Sequence, residues 1–291
     1  MAQGKEIRSK IRSVQSTQKI TRAMQMVAAA KMRRAQDRMQ AARPYAESLL
    51  TIMRHVGAAH PEYRHPLLAV RPVKRAAILV VTSDRGLAGA LNANVLREAV
   101  GVLHGWQDQG IHGEVAVLGT KGAAYFRRIH APVMALVAPL GDRPRLEDIT
   151  GLIKVLADSY REERIDRVVL VYSRFQNTMS QVAVAEDLLP LPALGAAKAT
   201  ASEEQHRWDY LYEPDARLVI SDLLARYVET RVYGSVIENL ASEQAARMVA
   251  MRAATDNAGR LITDLKLAYN KARQASITQE LAEIVSGASA V

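Results

Sequence analysis

The sequence predicts an α/β protein. A long antiparallel coiled coil is built from the two chain ends, with a βαβ-type domain on a mostly parallel sheet inserted between them. Three observations predict it. Residues 215–291 contain no proline and only three glycines, Gly234, Gly259 and Gly287. A seam repeating every ~3.5 residues runs along this stretch and along the first 57 residues, as two supercoiling helices require. Between residues 73 and 190, short apolar runs alternate with amphipathic ones, the pattern of strand–helix–strand units. The expected domains are a coiled-coil helix (1–57), a loop (58–72), an α/β domain (73–190), a linker with an edge strand (191–214) and a second coiled-coil helix (215–291).

In the first helix the seam runs through Ile7, Ile11, Val14, Gln18, Thr21, Gln25, Ala28, Met32, Ala35, Met39, Ala42, Ala46, Leu49, Met53 and Val56. Small Ala and flexible Met allow close and adaptable helix packing. The seam turns polar at Gln18, Thr21 and Gln25, so this part of the helix is expected to face something other than its partner seam. Pro44 lacks a backbone donor and is expected to bend or break the helix. Residues 61–72 carry prolines and histidines and read as loop.

Residues 75–82 (RAAILVVT) form a buried-strand run that ends in a Ser-Asp-Arg-Gly turn. Residues 90–109 read as helix, 114–118 as strand, 119–129 as helix and 132–137 as strand. They are followed by a helix over 146–163, capped near Asp148, and by strands over 166–174 and 179–188. Residues 189–204 are rich in Pro, Ala and Ser. Residues 206–212 (HRWDYLY) read as an edge strand. In the last helix the seam runs Ile237, Ala241, Gln244, Met248, Met251, Thr255, Ala258, Ile262, Leu265, Tyr269, Ala272, Ser276. This helix is longer than the first by ~15–20 residues, so its tip is expected to project by ~25 Å. At that tip Ile277, Leu281, Ile284 and Val285 are spaced i, i+4, i+7 and i+8, and no charged side chain follows Glu283. An apolar sleeve on a partner suits such an end.

Composition narrows the function classes. The chain has no cysteine, which removes disulfides and thiolate metal sites. The charged N-terminus is unlike a signal peptide. No apolar run exceeds the six residues of 76–81, against the ~20 that span a bilayer. Residues 1–43 hold eleven Lys/Arg against Glu6 and Asp37, a net +9 equal to that of the whole chain. A basic arm of this kind suits nucleic acid, an anionic membrane or an acidic protein surface. No Phe, Trp or Tyr precedes Tyr45, so base-stacking residues are missing from it.

Catalytic signatures are missing as well. The turn at 83–89 carries one Gly-x-x-Gly rather than G-x-G-x-x-G, and residues 119–122 (GTKG) are equally incomplete, so both read as tight turns. The histidines are scattered without metal-ligand spacing. No catalytic residue, cofactor or metal is expected, and the reading favours a mechanical part over an enzyme.

Three stretches carry a family resemblance: residues 5–31 (KEIRSKIRSVQSTQKITRAMQMVAAAK), 83–92 (SDRGLAGALN) and 243–285 (EQAARMVAMRAATDNAGRLITDLKLAYNKARQASITQELAEIV). They resemble the three signature regions of the gamma subunit of the bacterial F-type ATP synthase, the central rotor shaft. Ala88 and Ala90 depart from the family's Gly-Leu-Cys-Gly-Gly-Leu-Asn motif.

The resemblance implies a non-catalytic shaft, one copy per complex, turning inside a hexamer of alpha and beta subunits. It would lie at the cytoplasmic face of the inner membrane as a peripheral subunit, coupling proton translocation to ATP synthesis or hydrolysis. Lys19, Arg22 and Met24 would face acidic loops of the beta subunits. Arg273, Gln274 and Thr278 would touch a beta subunit higher in the shaft. Trp208 and Tyr210 would lie near the epsilon subunit and the membrane c-ring. The competing reading from another class is a basic coiled-coil protein that binds nucleic acid.

Overall fold

The structure, a computed structural model, describes residues 2–59, 65–191 and 215–288. The elements are α1 (Ala2–Ala59), a 3-10 turn (Pro66–Leu68), β1 (Arg75–Val81), α2 (Leu91–Asp108), β2 (His112–Leu118), α3 (Thr120–Arg128), β3 (Val133–Val137), α4 (Leu146–Arg161), β4 (Arg167–Phe175), β5 (Gln181–Leu189) and α5 (Ala216–Ala288). The chain divides into two compact units. One joins Met1–Ala30 to Arg247–Val291, and the other is Lys31–Ala246.

The larger unit is a five-stranded sheet in the order β3-β2-β1-β4-β5. β1 pairs in parallel with both β2 and β4, β2 pairs in parallel with β3, and β5 is antiparallel to β4. Parallel strands need crossover connections, which the helices supply here, whereas antiparallel β4 and β5 are joined by a short turn in which Asn177 Oδ1 accepts the amides of Met179 and Ser180 at 2.9 and 2.8 Å. β1 reads as a continuous apolar run because helices cover both sheet faces. Ala76, Ile78 and Val80 pack with Val95, Ala99 and Trp106 of α2 and Phe126 of α3. Ala77, Leu79 and Val81 join a second core with Leu152 and Leu156 of α4, Leu49 and Met53 of α1, and Leu224 and Val228 of α5. The cap expected on α4 is present, since Asp148 Oδ2 accepts the Arg145 amide at 2.9 Å.

Two expectations need correction. Pro44 does not break α1, the stronger of the two effects expected of it, and the helix continues to Ala59. The proline and Gln40, whose carbonyl loses its usual partner, are both exposed, so that carbonyl can bond water. The segment 58–72 is not plain loop either. Its 3-10 turn buries Leu67 completely. The edge strand expected at 206–212, with Trp208 and Tyr210, lies outside the described residues.

His65 holds that turn in place. Its Nδ1 accepts the Leu67 amide at 3.2 Å, and its Nε2 lies 3.3 Å from Ser221 Oγ. An accepting Nδ1 requires the neutral ring. Burial, and secondarily the Arg161 charge, push its pKa below the ordinary 6.5. The unfolded chain therefore binds the extra proton at a higher pH than the folded one. Stability from this site is complete above about pH 6.5 and is lost as pH falls toward the depressed value. The thermal midpoint is expected to drop between pH 7.5 and 5.5, and to drop less in His65→Gln. Identical pH slopes would remove His65 from the account.

The Ser-Asp-Arg-Gly turn after β1 is a tight turn, as its sequence suggests. Asp84 sits at the amino end of α3, where a nucleotide-binding fold would place phosphate. Its Oδ1 accepts Thr120 N at 2.9 Å and Thr120 Oγ1 at 2.7 Å, and its Oδ2 accepts Leu140 N and Gly141 N, both at 2.8 Å. The protein's own carboxylate takes the favourable pole of the helix.

Candidate partner-binding surface of the helix pair

In the smaller unit, α1 and α5 run antiparallel. Gln18 and Thr21 meet Thr255, while Arg8 meets Tyr269, so residues earlier in α1 contact residues later in α5. The predicted seam is the packed face. Ala28, Met251, Ala258 and Ile262 are buried, and Ile7, Ile11, Val14, Leu265, Tyr269, Ala272 and Ser276 are half-buried among exposed neighbours. An apolar residue every three or four positions returns to one side of each helix, which accounts for the pairing.

The polar break in the α1 seam faces the partner helix after all. Thr21 is 8% exposed, and its Oγ1 lies 2.7 Å from Thr255 Oγ1. Each hydroxyl also lies within reach of a carbonyl of its own helix, Gln18 O at 3.0 Å and Met251 O at 2.8 Å. Two protons serve three contacts, so one hydroxyl donates across the seam while the other bonds back into its helix. Gln18 Nε2 donates to Thr255 O at 3.4 Å, and Gly259 leaves the space: a Cβ there would stand 3.1 Å from that nitrogen. Seam position 255 is polar too, and two matched polar positions satisfy each other, a pairing that the pattern of either helix alone does not show.

The outward face carries the candidate contacts. Lys19 and Arg22 are exposed and form no ion pair among the described residues, and Met24 is half-buried at the seam margin. Farther along α1, Lys31 is held by Asp142 at 2.6 Å. Beside Met24 lies a feature the sequence reading passed over. Ile20 and Val27 are 56% and 54% exposed, one turn on either side of it. Three apolar residues at i, i+4 and i+7, off the seam, are the signal that marks this strip. An apolar strip flanked by unpaired cations suits a partner with apolar and acidic groups.

Arg273, Gln274 and Thr278 form a second, exposed group on α5. Thr278 Oγ1 donates to Gln274 O at 2.9 Å, which ties two of them together. Met24 lies opposite the turn of α5 near Arg252, so the two groups are separated by roughly 30 Å of helix. The two candidate groups therefore lie in separate stretches of the helix pair. Past the start of α1, Ile277, Leu281, Ile284 and Val285 are all exposed.

Comparison with known proteins covers the same length of chain. The family model described as ATP synthase matches residues 3–291. The ATP synthase gamma chain of Nitrosococcus oceani is 53% identical over 291 residues, covering all of both chains. That of Acidithiobacillus ferrooxidans is 56% identical, and that of Paracidovorax citrulli 54%, again over the full length of both. The chain belongs to the ATP synthase gamma-chain family. The role that goes with this family is the central stalk of the enzyme. Solved structures agree in fold. A chain of the Euglena gracilis mitochondrial ATP synthase (OSCP/F1/c-ring, rotational state 3) aligns over 99% of this chain and 94% of its own, with TM-score 0.67 and 19% identity. A chain of the Tetrahymena thermophila mitochondrial ATP synthase (central stalk/c-ring) aligns over 81% and 99%, with TM-score 0.61 and 23% identity. None of these relatives supports the nucleic-acid alternative.

Proposed function

We propose that the chain is the non-catalytic shaft of its ATP synthase, present once per complex. The bond-making site for ATP belongs to the partners. The free end of α5 carries this reading. Ile277, Leu281, Ile284 and Val285 expose apolar surface to water on one helix, an arrangement a surrounding apolar sleeve would stabilise. No helix among the described residues is long and apolar enough to cross a membrane, which fits a peripheral subunit carried by a membrane ring.

A shaft acts through differential contacts. One asymmetric rod inside a ring of alternating alpha and beta subunits touches each beta subunit differently and so biases their conformations apart. Lys19, Arg22 and Met24 would meet acidic loops of the beta subunits, and Arg273, Gln274 and Thr278 would meet one of them higher up. Trp208 and Tyr210 would face the epsilon subunit and the c-ring at the cytoplasmic face of the inner membrane. Rotation then passes each face of the rod to the next subunit.

Co-expression with the alpha and beta subunits tests the reading. The expected result is a large complex holding one copy of this chain, with ATPase activity that depends on its presence. A chain that stays alone and retards DNA at low salt would overturn it.

A further inference from the structure

The sheet reverses its winding between β1 and β4. From β1 the chain proceeds to β2 and β3 on one side, then returns to β4 on the other. In doubly wound sheets the crevice at such a switch point, outside the carboxyl ends of the strands, is where ligands bind. Here a helix fills it. β4 outruns β1: their pairing ends at Val80 and Val171, whereas β4 continues to Phe175. Beyond that point β5 pairs one edge of β4, and no strand among the described residues pairs the edge toward β1. Side chains of α5 bond that edge. Asn239 Oδ1 accepts Ser173 N at 3.2 Å, Ser242 Oγ donates to Ser173 O at 3.0 Å, and Glu238 Oε1 accepts Phe175 N at 3.1 Å. Ser242 and Asn239 are 0% and 3% exposed. A cavity of about 240 Å³ remains beside them, walled in part by Ser83, Asp84, Leu140 and Glu243.

From this geometry we propose that Glu238, Asn239 and Ser242 form a torque-bearing socket, the joint through which the shaft helix and the α/β domain turn together. The inference rests on the shaft reading. Apolar contacts hold a helix against a sheet but are non-directional, so they resist sliding or rolling only weakly. Three directional bonds to fixed backbone atoms define one angle and one register. A helix that rolls about its axis loses all three together, and the buried edge of β4 is left unbonded. The three residues are positioning residues, and none touches a nucleotide. Their work appears only under load, when the membrane ring opposes rotation.

The test uses the whole membrane complex in sealed vesicles, comparing the unmodified chain with Ser242→Ala, Asn239→Ala/Ser242→Ala and Ser242→Thr. ATP hydrolysis is measured with an uncoupler present, and the steady-state proton gradient without it. The double variant is expected to hydrolyse ATP within about twofold of the unmodified complex yet sustain a gradient at least roughly threefold smaller. Ser242→Ala should fall between, and Ser242→Thr, which keeps the hydroxyl, should match the unmodified chain. Equal gradients in Ser242→Ala and the unmodified complex, or equal losses in Ser242→Ala and Ser242→Thr, would overturn the socket; these single variants decide if the double variant does not assemble. An unmodified chain that never joins the hexamer would instead overturn the shaft reading itself.

Discussion

Gly119→Ala is expected to lower the stability of the chain by about 4 kcal/mol or more, among the largest effects a single methyl can have. Gly119 stands between β2 and α3 with φ +100°, a backbone conformation that side chains with a Cβ avoid at a cost of about 1–3 kcal/mol. Space is the larger obstacle, since the new Cβ would lie 2.2 Å from Thr82 O and 2.8 Å from Thr82 Oγ1. Neither atom can retreat cheaply. Thr82 N donates to Leu118 O at 2.8 Å, and Thr82 Oγ1 accepts Gly122 N at 2.9 Å, so moving Thr82 breaks the junction of β1, β2 and α3. Gly86→Ala is the control, because its methyl meets only Lys121, at 3.8 Å. Denaturant midpoints of the three full-length chains check the contrast. A Gly119→Ala midpoint equal to that of Gly86→Ala would show that the junction yields.

Met24→Lys is expected to damage coupling while leaving the helix pair folded. The residue is half-buried at the seam margin, so a lysine can lay its stem along the seam and turn its ammonium to water. Lysine is also as good a helix former as methionine. The new charge joins exposed Lys19 and Arg22 and interrupts the strip of Ile20 and Val27, on the face proposed to meet the beta subunits. The expected loss is several-fold in protons pumped per ATP hydrolysed, with similar amounts of assembled complex. Part of the loss should return at higher ionic strength, because screening weakens the added attraction between the new ammonium and the acidic loops proposed to face it. A ratio of pumping to hydrolysis equal to that of the unmodified complex would remove Met24 from the coupling surface.

The sequence by itself determined which faces pack. A helix repeats every 3.6 residues and a strand every two, so Ile7 to Ala28 on α1 and Met251 to Ser276 on α5 announce a seam without any knowledge of the partner. The same local logic marks β1 as a strand buried on both faces and leaves the end of α5 apolar and uncharged. The tertiary structure decided how polar groups are satisfied, because hydrogen bonds join residues far apart in the chain. By sequence Thr21 belongs to a break expected to face away from the partner seam, and only the fold sets Thr255 opposite it. Asp84 looked like part of a turn until Thr120, Leu140 and Gly141 converged on it. Nothing in the sequence singles out Asn239 or Ser242, and only the edge of β4 that no described strand pairs, reached across more than sixty residues, gives them their bonds. Periodicity is a property of neighbouring residues, whereas polar satisfaction is a property of the folded neighbourhood.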